Sequence, residues 1–269
     1  MIHATGDTHS NFIKFNTRIF PEQKEMTKKD YVIICGDYGG IWYNETNKKI
    51  KEENYWLDWL EDKPFTTLFV DGNHENFDRL NALPKKEWNG GLVHEIRPSV
   101  LHLCRGEVFD LDGTKIFAFG GAQSHDISDG ILDKDDPDIA NKISNLKRQG
   151  KNMYRVKGLS WWEQELPSRE EMENGIANLK KYENKVDYII THSPPASVVA
   201  LLGHGTYEQN ILTKYLEEIK ANTEYRHWFS GHMHVNKRIN EKDTIIYEQI
   251  IRVPTVKELE YYREEEKEN

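Results

Sequence analysis

Five times along this chain a short apolar run stops at a glycine or threonine, and the residues that follow can bind a metal. They are Gly6-Asp7-Thr8-His9, Gly36-Asp37, Gly72-Asn73-His74-Glu75, Thr191-His192 and Gly231-His232-Met233-His234. Brief apolar runs bounded in this way read as buried strands. In open α/β sheets ligands bind in the crevice beyond the carboxyl ends of the strands, so loops spread over most of the chain can converge there. A glycine just before the ligand lets the backbone turn sharply off its strand. Each piece alone is weak, because Asp after Gly is ordinary turn chemistry and a single histidine is more often a surface or core residue. All five together point to one metal-binding crevice. The mixture of carboxylate, imidazole and amide oxygen suits Mn²⁺, Fe or Zn²⁺, whereas an all-oxygen set would suit Mg²⁺ or Ca²⁺.

The intervening chain supports an α/β organisation. Ile2 to Thr5, Tyr31 to Cys35 and Thr66 to Val70 read as strands, and Asn54 to Leu60 puts Trp56, Trp59 and Leu60 on one helical face, a βαβαβ start. Val100 to Phe119 alternates around Leu111-Asp112-Gly113-Thr114, an Asp-Gly hairpin signal. Residues 126–167 are polar without a clear period and read as an insertion. A capping box at Ser168 to Glu171 predicts a helix through Met172, Ile176 and Leu179. Val186 to Ile190 is the next strand, and a second box at Thr206 to Gln209 predicts the helix from Ile211 to Ile219. Trp228 to Ser230 is a short strand, and Lys237 to Val253 reads as a closing hairpin around Glu241-Lys242-Asp243. With 269 residues, one domain over 1–256 followed by a charged, solvated tail over 257–269 is expected.

A net charge of -9 gives no general attraction for duplex DNA. Apolar runs fall well short of the roughly 20 residues that span a bilayer, and the early GDTHSN leaves no room for a secretion signal. The two cysteines, Cys35 and Cys104, form no CxxC pair and fit reduced core positions. The expectation is a cytoplasmic protein.

In order and in spacing, Asp7-x-His9, Gly36-Asp37-x-x-Gly40, Gly72-Asn73-His74-Glu75, Thr191-His192 and Gly231-His232-x-His234 resemble the five motifs of the calcineurin-like metallophosphoesterases. The resemblance implies a four-layer α/β/β/α sandwich with two mixed β-sheets and both metals at one edge. It also implies two divalent ions, Mn²⁺ first with Fe, Zn²⁺ or Ni²⁺ as alternatives. Asp7, His9 and His234 would hold one, Asn73, His192 and His232 the other, and Asp37 would bridge them. A hydroxide shared by the ions would attack a phosphomonoester or phosphodiester in line. His74, beside Asn73, would act as general acid or steady the leaving group. Glu75 has two readings, a partner for a ligating histidine or an acid at a helix N-terminus.

Protein Ser/Thr phosphatases carry an arginine shortly after the bridging aspartate, and Gly36-Asp37-Tyr38-Gly39-Gly40-Ile41-Trp42 has none. This favours a phosphorylated small molecule or nucleotide as substrate, with a nuclease for single-stranded or short nucleic acid as alternative. His125 and Asp126 follow another strand end, and Arg155, Trp161 and Trp162 lie in the insertion. An arginine there could grip phosphate and an indole could stack on a base, although packing and surface ion pairing are the commoner roles. A non-catalytic binding module on this fold is disfavoured by the retention of His74 and every ligand. Amide or lactam hydrolysis is disfavoured by motif order.

Overall fold

The computed structural model of the chain describes residues 1–203 and 209–268. β1 (Ile2–Thr5) and β2 (Tyr31–Ile34) are almost wholly buried four-residue runs. α1 (Ile50–Glu61) begins a turn earlier than its aromatic face suggests and buries Leu57 and Leu60. β3 (Thr66–Phe69) follows, then α2 (Phe77–Asn81), capped by the Asn76 side chain, which accepts from the Arg79 N–H. Next come β4 (Lys85–Trp88), β5 (Gly91–Arg97), β6 (Val100–Leu103), β7 (Glu107–Leu111) and β8 (Thr114–Phe119). The turn between β7 and β8 holds Asp112 at φ 56° and Gly113 at φ 86°, as a two-residue hairpin of the right twist requires.

The polar insertion is ordered. It comprises β9 (Gly130–Asp133), α3 (Ile139–Arg148) and β10 (Tyr154–Lys157), with β9 and β10 paired in parallel. The helix does carry an apolar stripe, Ile139, Ile143 and Leu146 at i, i+4 and i+7, but it is only half-buried and short, and the polar composition of the segment masks it.

α4 (Arg169–Lys181) starts at the expected capping box, in which the Glu171 N–H donates to Ser168 Oγ and the Ser168 N–H to Glu171 Oε2. β11 (Tyr188–Thr191), α5 (Ala196–Leu202) and α6 (Ile211–Asn222) follow. The box on α6 is formed by Asn210 and Thr213 rather than by Thr206 and Gln209, because Asn210 immediately precedes the helix and its side chain reaches the Thr213 N–H. Thr206, with the neighbouring His204, lies outside the described residues. After β12 (His227–Ser230), β13 (Lys237–Arg238) and β14 (Asp243–Ile245) form a short hairpin. β15 (Ile250–Val253) does not extend it. It crosses to the other sheet, where Ile250 to Val253 pair antiparallel with β1. The charged C-terminal stretch is helical, α7 (Val256–Glu268).

Two mixed sheets result, in the orders β15-β1-β2-β3-β6-β5-β4 and β13-β14-β12-β11-β8-β7. Each has four parallel central strands with antiparallel strands outside them. The sheets pack face to face through Ile33, Leu68 and Leu101 on one side and Phe109, Ile190 and Phe229 on the other. Alternate residues of the same strands face outwards. Phe69 and Val32 meet Leu57 and Leu60 of α1, while Phe117 and Trp228 meet Leu179 of α4 and Leu216 of α6. This is the expected α/β/β/α sandwich, and the carboxyl ends of β1, β2, β3, β8, β11 and β12 open on one edge.

Candidate metal centre

The five motifs meet at that edge. Asp7, His9, Asp37 and His234 bring one ligand atom each to within 4.8 Å of one another, although the outer residues are separated by most of the chain. His234 Nε2 lies 3.1 Å from Asp7 Oδ2 and 3.1 Å from His9 Nε2, and His9 Nε2 lies 3.7 Å from Asp37 Oδ2. Beside them His192 Nε2 is 3.3 Å from both Asp37 Oδ1 and Asn73 Oδ1, and the His192 and His232 rings are 4.9 Å apart. Asp37 therefore stands between two groups of donors.

Local backbone explains how short loops achieve this. His9, Asp37, His232 and His234 all adopt left-handed φ, between 45° and 66°. Such strain in non-glycine residues persists where the surroundings over-determine it, as at functional sites. Gly36 also has positive φ, and a Cβ there would strike the His192 ring. Gly72 serves differently, since its φ is ordinary but a Cβ would enter the Asp37 carboxylate. One glycine turns the chain and the other makes room for a ligand.

Hydrogen bonds outside the donor set aim it. His192 Nδ1–H donates to the Cys35 carbonyl at 2.8 Å, which leaves Nε2 with its lone pair facing the centre. Asn73 Nδ2 donates to Ser124 Oγ at 3.3 Å, turning its Oδ1 inward. The backbone N–H groups of His74 and His232 donate to Asp37 Oδ1 at 2.8 Å and Asp7 Oδ1 at 3.1 Å. Loss of solvation, reinforced by His192 and His125, pushes the His232 imidazole well below its ordinary pKa, so it is neutral and able to ligate.

The residues fit metal ions. Asp7 Oδ2 is buried without a well-directed hydrogen bond, and imidazole nitrogens face one another at 3.1 Å (His9, His234) and 2.8 Å (His125, His232). Orphaned carboxylate oxygen and crowded lone pairs are costly unless a cation lies among them. The calcineurin-like phosphoesterase family pattern matches residues 1–236, a stretch containing every residue of this centre. The chain belongs to the calcineurin-like phosphoesterases.

Similar proteins include lariat debranching enzyme A of Xenopus laevis, 23% identical over 261 residues, covering 87% of this chain and 42% of the relative. The lariat debranching enzyme of Schizosaccharomyces pombe is 24% identical over 231 residues, covering 78% of this chain and 44% of its own length. The human enzyme is 22% identical over 261 residues, covering 87% and 42%. This phosphoesterase thus spans less than half the length of these relatives.

A cleft of about 220 Å³ opens over the centre, lined by Asn73, His74, His125, Asp126, Arg155 and His232 among others. Arg155 reaches it from the insertion. Its Nε donates to Asp126 at 2.9 and 2.8 Å, and its Nη2 lies 3.3 Å from His74 Nε2. A guanidinium can only donate, so the imidazole is the acceptor in that contact; burial lowers the His74 pKa, Asp37 opposes this and Arg155 adds to it. His125 stands closer to the donors than its position in the sequence suggests. Trp161 and Trp162 are absent from the cleft wall. Trp162 is buried, meets Trp42 edge-on at 5.6 Å and donates its indole N–H to Asp78 at 2.9 Å. Trp161 caps the Gly158 turn with its carbonyl.

Glu75 fits neither reading of it. Its carboxylate accepts from the N–H groups of Tyr38 at 2.7 Å and Gly39 at 3.2 Å, holding the loop after Asp37. Burial first, then Asp37 and Asp71, pushes its pKa well above the usual range. Lys14 was invisible as a site residue. Its Nζ donates to the carbonyls of Gly6, Asp7 and Tyr247 at 3.3, 3.2 and 2.9 Å, pinning the first motif from behind. A lysine on a short 3₁₀ turn carries no signal in sequence of such a role.

Proposed function

We propose that this phosphoesterase cleaves phosphodiesters of nucleotides or short single-stranded nucleic acid. The reading is carried by one observation: Asp37, Asn73, His232 and His234 line a single cleft together with His74 and Arg155, and Asp7, His9 and His192 stand directly against them. Asp7, His9 and His234 would hold one divalent ion, Asn73, His192 and His232 a second, and Asp37 would belong to both, with Mn²⁺ the first choice. When bound, such ions supply an activated water and neutralise charge on the phosphoryl oxygens. Arg155, held by Asp126, offers a fork of donors to a non-bridging oxygen. His74 stands at the cleft wall; once Arg155 turns from its Nε2 to the phosphate, a protonated imidazole would donate to the leaving oxygen or hydrogen-bond the charge developing there.

The cleft is smaller than the roughly 300 Å³ or more that engulfs a drug-sized ligand. It suits a phosphate and its immediate substituents, with the rest of the substrate outside. Relatives named for debranching lariats favour a diester in a nucleic acid over a simple monoester. The net charge of -9 disfavours long duplexes. Free, buried Cys35 and Cys104 suit a cytoplasmic location.

The test compares bis- and mono-nitrophenyl phosphate with Mn²⁺, followed by nucleotides and oligonucleotides. We expect the diester to turn over faster; preference for the monoester would replace this reading with a monoesterase. In parallel, His74→Asn should retain bound metal and lose about 10²–10⁴-fold in kcat. Unchanged turnover removes His74 from the chemistry.

A further inference from the structure

Away from the catalytic edge, on the helix-facing side of the first sheet, three metal-capable side chains gather without being used above. His94 on β5 and His102 on β6 are directly paired across the strands, and Cys104 lies two residues beyond His102, on the same face. All three are buried, at 2, 4 and 6% exposure. The two Nδ1 atoms are 3.0 Å apart, and the three residues bring ligand atoms to within 4.8 Å of one another. Their rings are nearly parallel, at 14°.

The surroundings orient the donors. His102 Nε2 lies 3.1 Å from Asp71 Oδ1, and Asp71 is ion-paired with buried Arg105 at 2.5 Å. The carboxylate can only accept, so the His102 proton is on Nε2 and its Nδ1 lone pair faces His94 and Cys104. A carboxylate behind an imidazole is the arrangement that orients histidine ligands to zinc. Burial, then His102 and Lys85, lowers the His94 pKa to about 4, so this imidazole is neutral. The three side chains open on a cavity of about 290 Å³, walled also by Phe77 and Leu80 of α2 and by Glu171 of α4.

We propose that His94, His102 and Cys104 form a second metal site, separate from the catalytic edge, that binds one Zn²⁺ with its fourth position open to this cavity. Zinc bonds of about 2.0–2.1 Å to nitrogen and about 2.3 Å to sulfur put tetrahedral donors about 3.3–3.6 Å apart; the two imidazole nitrogens are already 3.0 Å apart and the sulfur lies within 4.8 Å of both. Two imidazoles and a thiolate select Zn²⁺ over oxygen-seeking Mg²⁺ or Ca²⁺. Binding exchanges the Cys104 thiol proton for the metal and releases one proton to solvent. Any Nδ1 proton on His94 moves to its Nε2 with no net change.

Co²⁺ substitution reads this site alone, since none of the seven proposed catalytic ligands is a thiol. The wild-type chain should give a near-ultraviolet thiolate-to-cobalt charge-transfer band. Cys104→Ala should abolish the band, lower bound Zn²⁺ by one ion per chain and retain phosphoester hydrolysis. Cys104→Ser, closer in volume, guards against loss of folding, and an unchanged circular dichroism spectrum verifies both variants. His94→Gln should weaken Zn²⁺ binding at this site at least tenfold. Absence of the band in the wild-type chain, or its survival in either Cys104 variant, overturns the proposal.

Discussion

Around Asp37 one residue outside the proposed donor set shapes the loop. Glu75 accepts two backbone N–H groups in a buried position, at Tyr38 and Gly39. Glu75→Ala would strand both donors, at a cost of about 1–3 kcal/mol for a buried unsatisfied group, and should weaken metal binding about 10–100-fold. Glu75→Gln keeps an acceptor oxygen and should recover most of the stability. Urea denaturation and metal titration of the pair measure this, and an alanine variant equal to wild type would show that the loop holds itself. The residue's identity was readable, but its role was not. Its partners lie 36 and 37 positions away, in the loop after β2, so adjacency to His74 suggested the wrong companions. His125 is a similar case, meeting His232 across 107 residues.

Elements were legible in proportion to how fully they are buried. The motif-bearing strands β1, β2 and β3 are short apolar runs and emerge at once, whereas the apolar stripe of α3, Ile139, Ile143 and Leu146, is only half-buried and is lost in a polar segment. Capping signals worked where side chain and backbone are within reach. Ser168 and Glu171 form both bonds of their box, while on α6 Asn210, immediately before the first turn, caps it. Ser168→Ala should cost about 1 kcal/mol and lower the melting temperature by a few degrees. Activity should be kept, because α4 packs on the outer face of the second sheet through Leu179, Ile176 and Met172, away from the cleft. A loss of turnover with unchanged melting would contradict this separation.

At the scale of the molecule, Asp71 and Arg105 tie the first sheet to α4. Arg105 pairs with Asp71 at 2.5 Å and with Glu171 at 3.2 Å, and both members of the inner pair are buried. Arg105→Met would leave a buried carboxylate unpaired and should cost about 3–5 kcal/mol in urea denaturation. Burial works against the Asp71 carboxylate, but Arg105 and His102 outweigh it and hold the pKa far below its ordinary value. The folded-state pKa is thus depressed. The stabilisation is complete above the unfolded value of about 3.9 and is lost as pH falls below it. The loss of stability between about pH 6 and pH 3 should therefore be smaller in Asp71→Asn than in wild type. An equal loss in both would assign acid sensitivity to other carboxylates.

By itself the sequence determined the motif residues and the strands they terminate, because each depends on a few neighbouring residues; the four-layer class followed only from the family those motifs resemble. Only the tertiary structure decided what stands beside what. It brought Arg155 of the insertion to His74, placed Lys14 behind Asp7, sent β15 to the first sheet and set His94, His102 and Cys104 around a second cavity. Those neighbours are chosen by how two sheets pack and twist over the whole chain, a long-range outcome that no local pattern encodes.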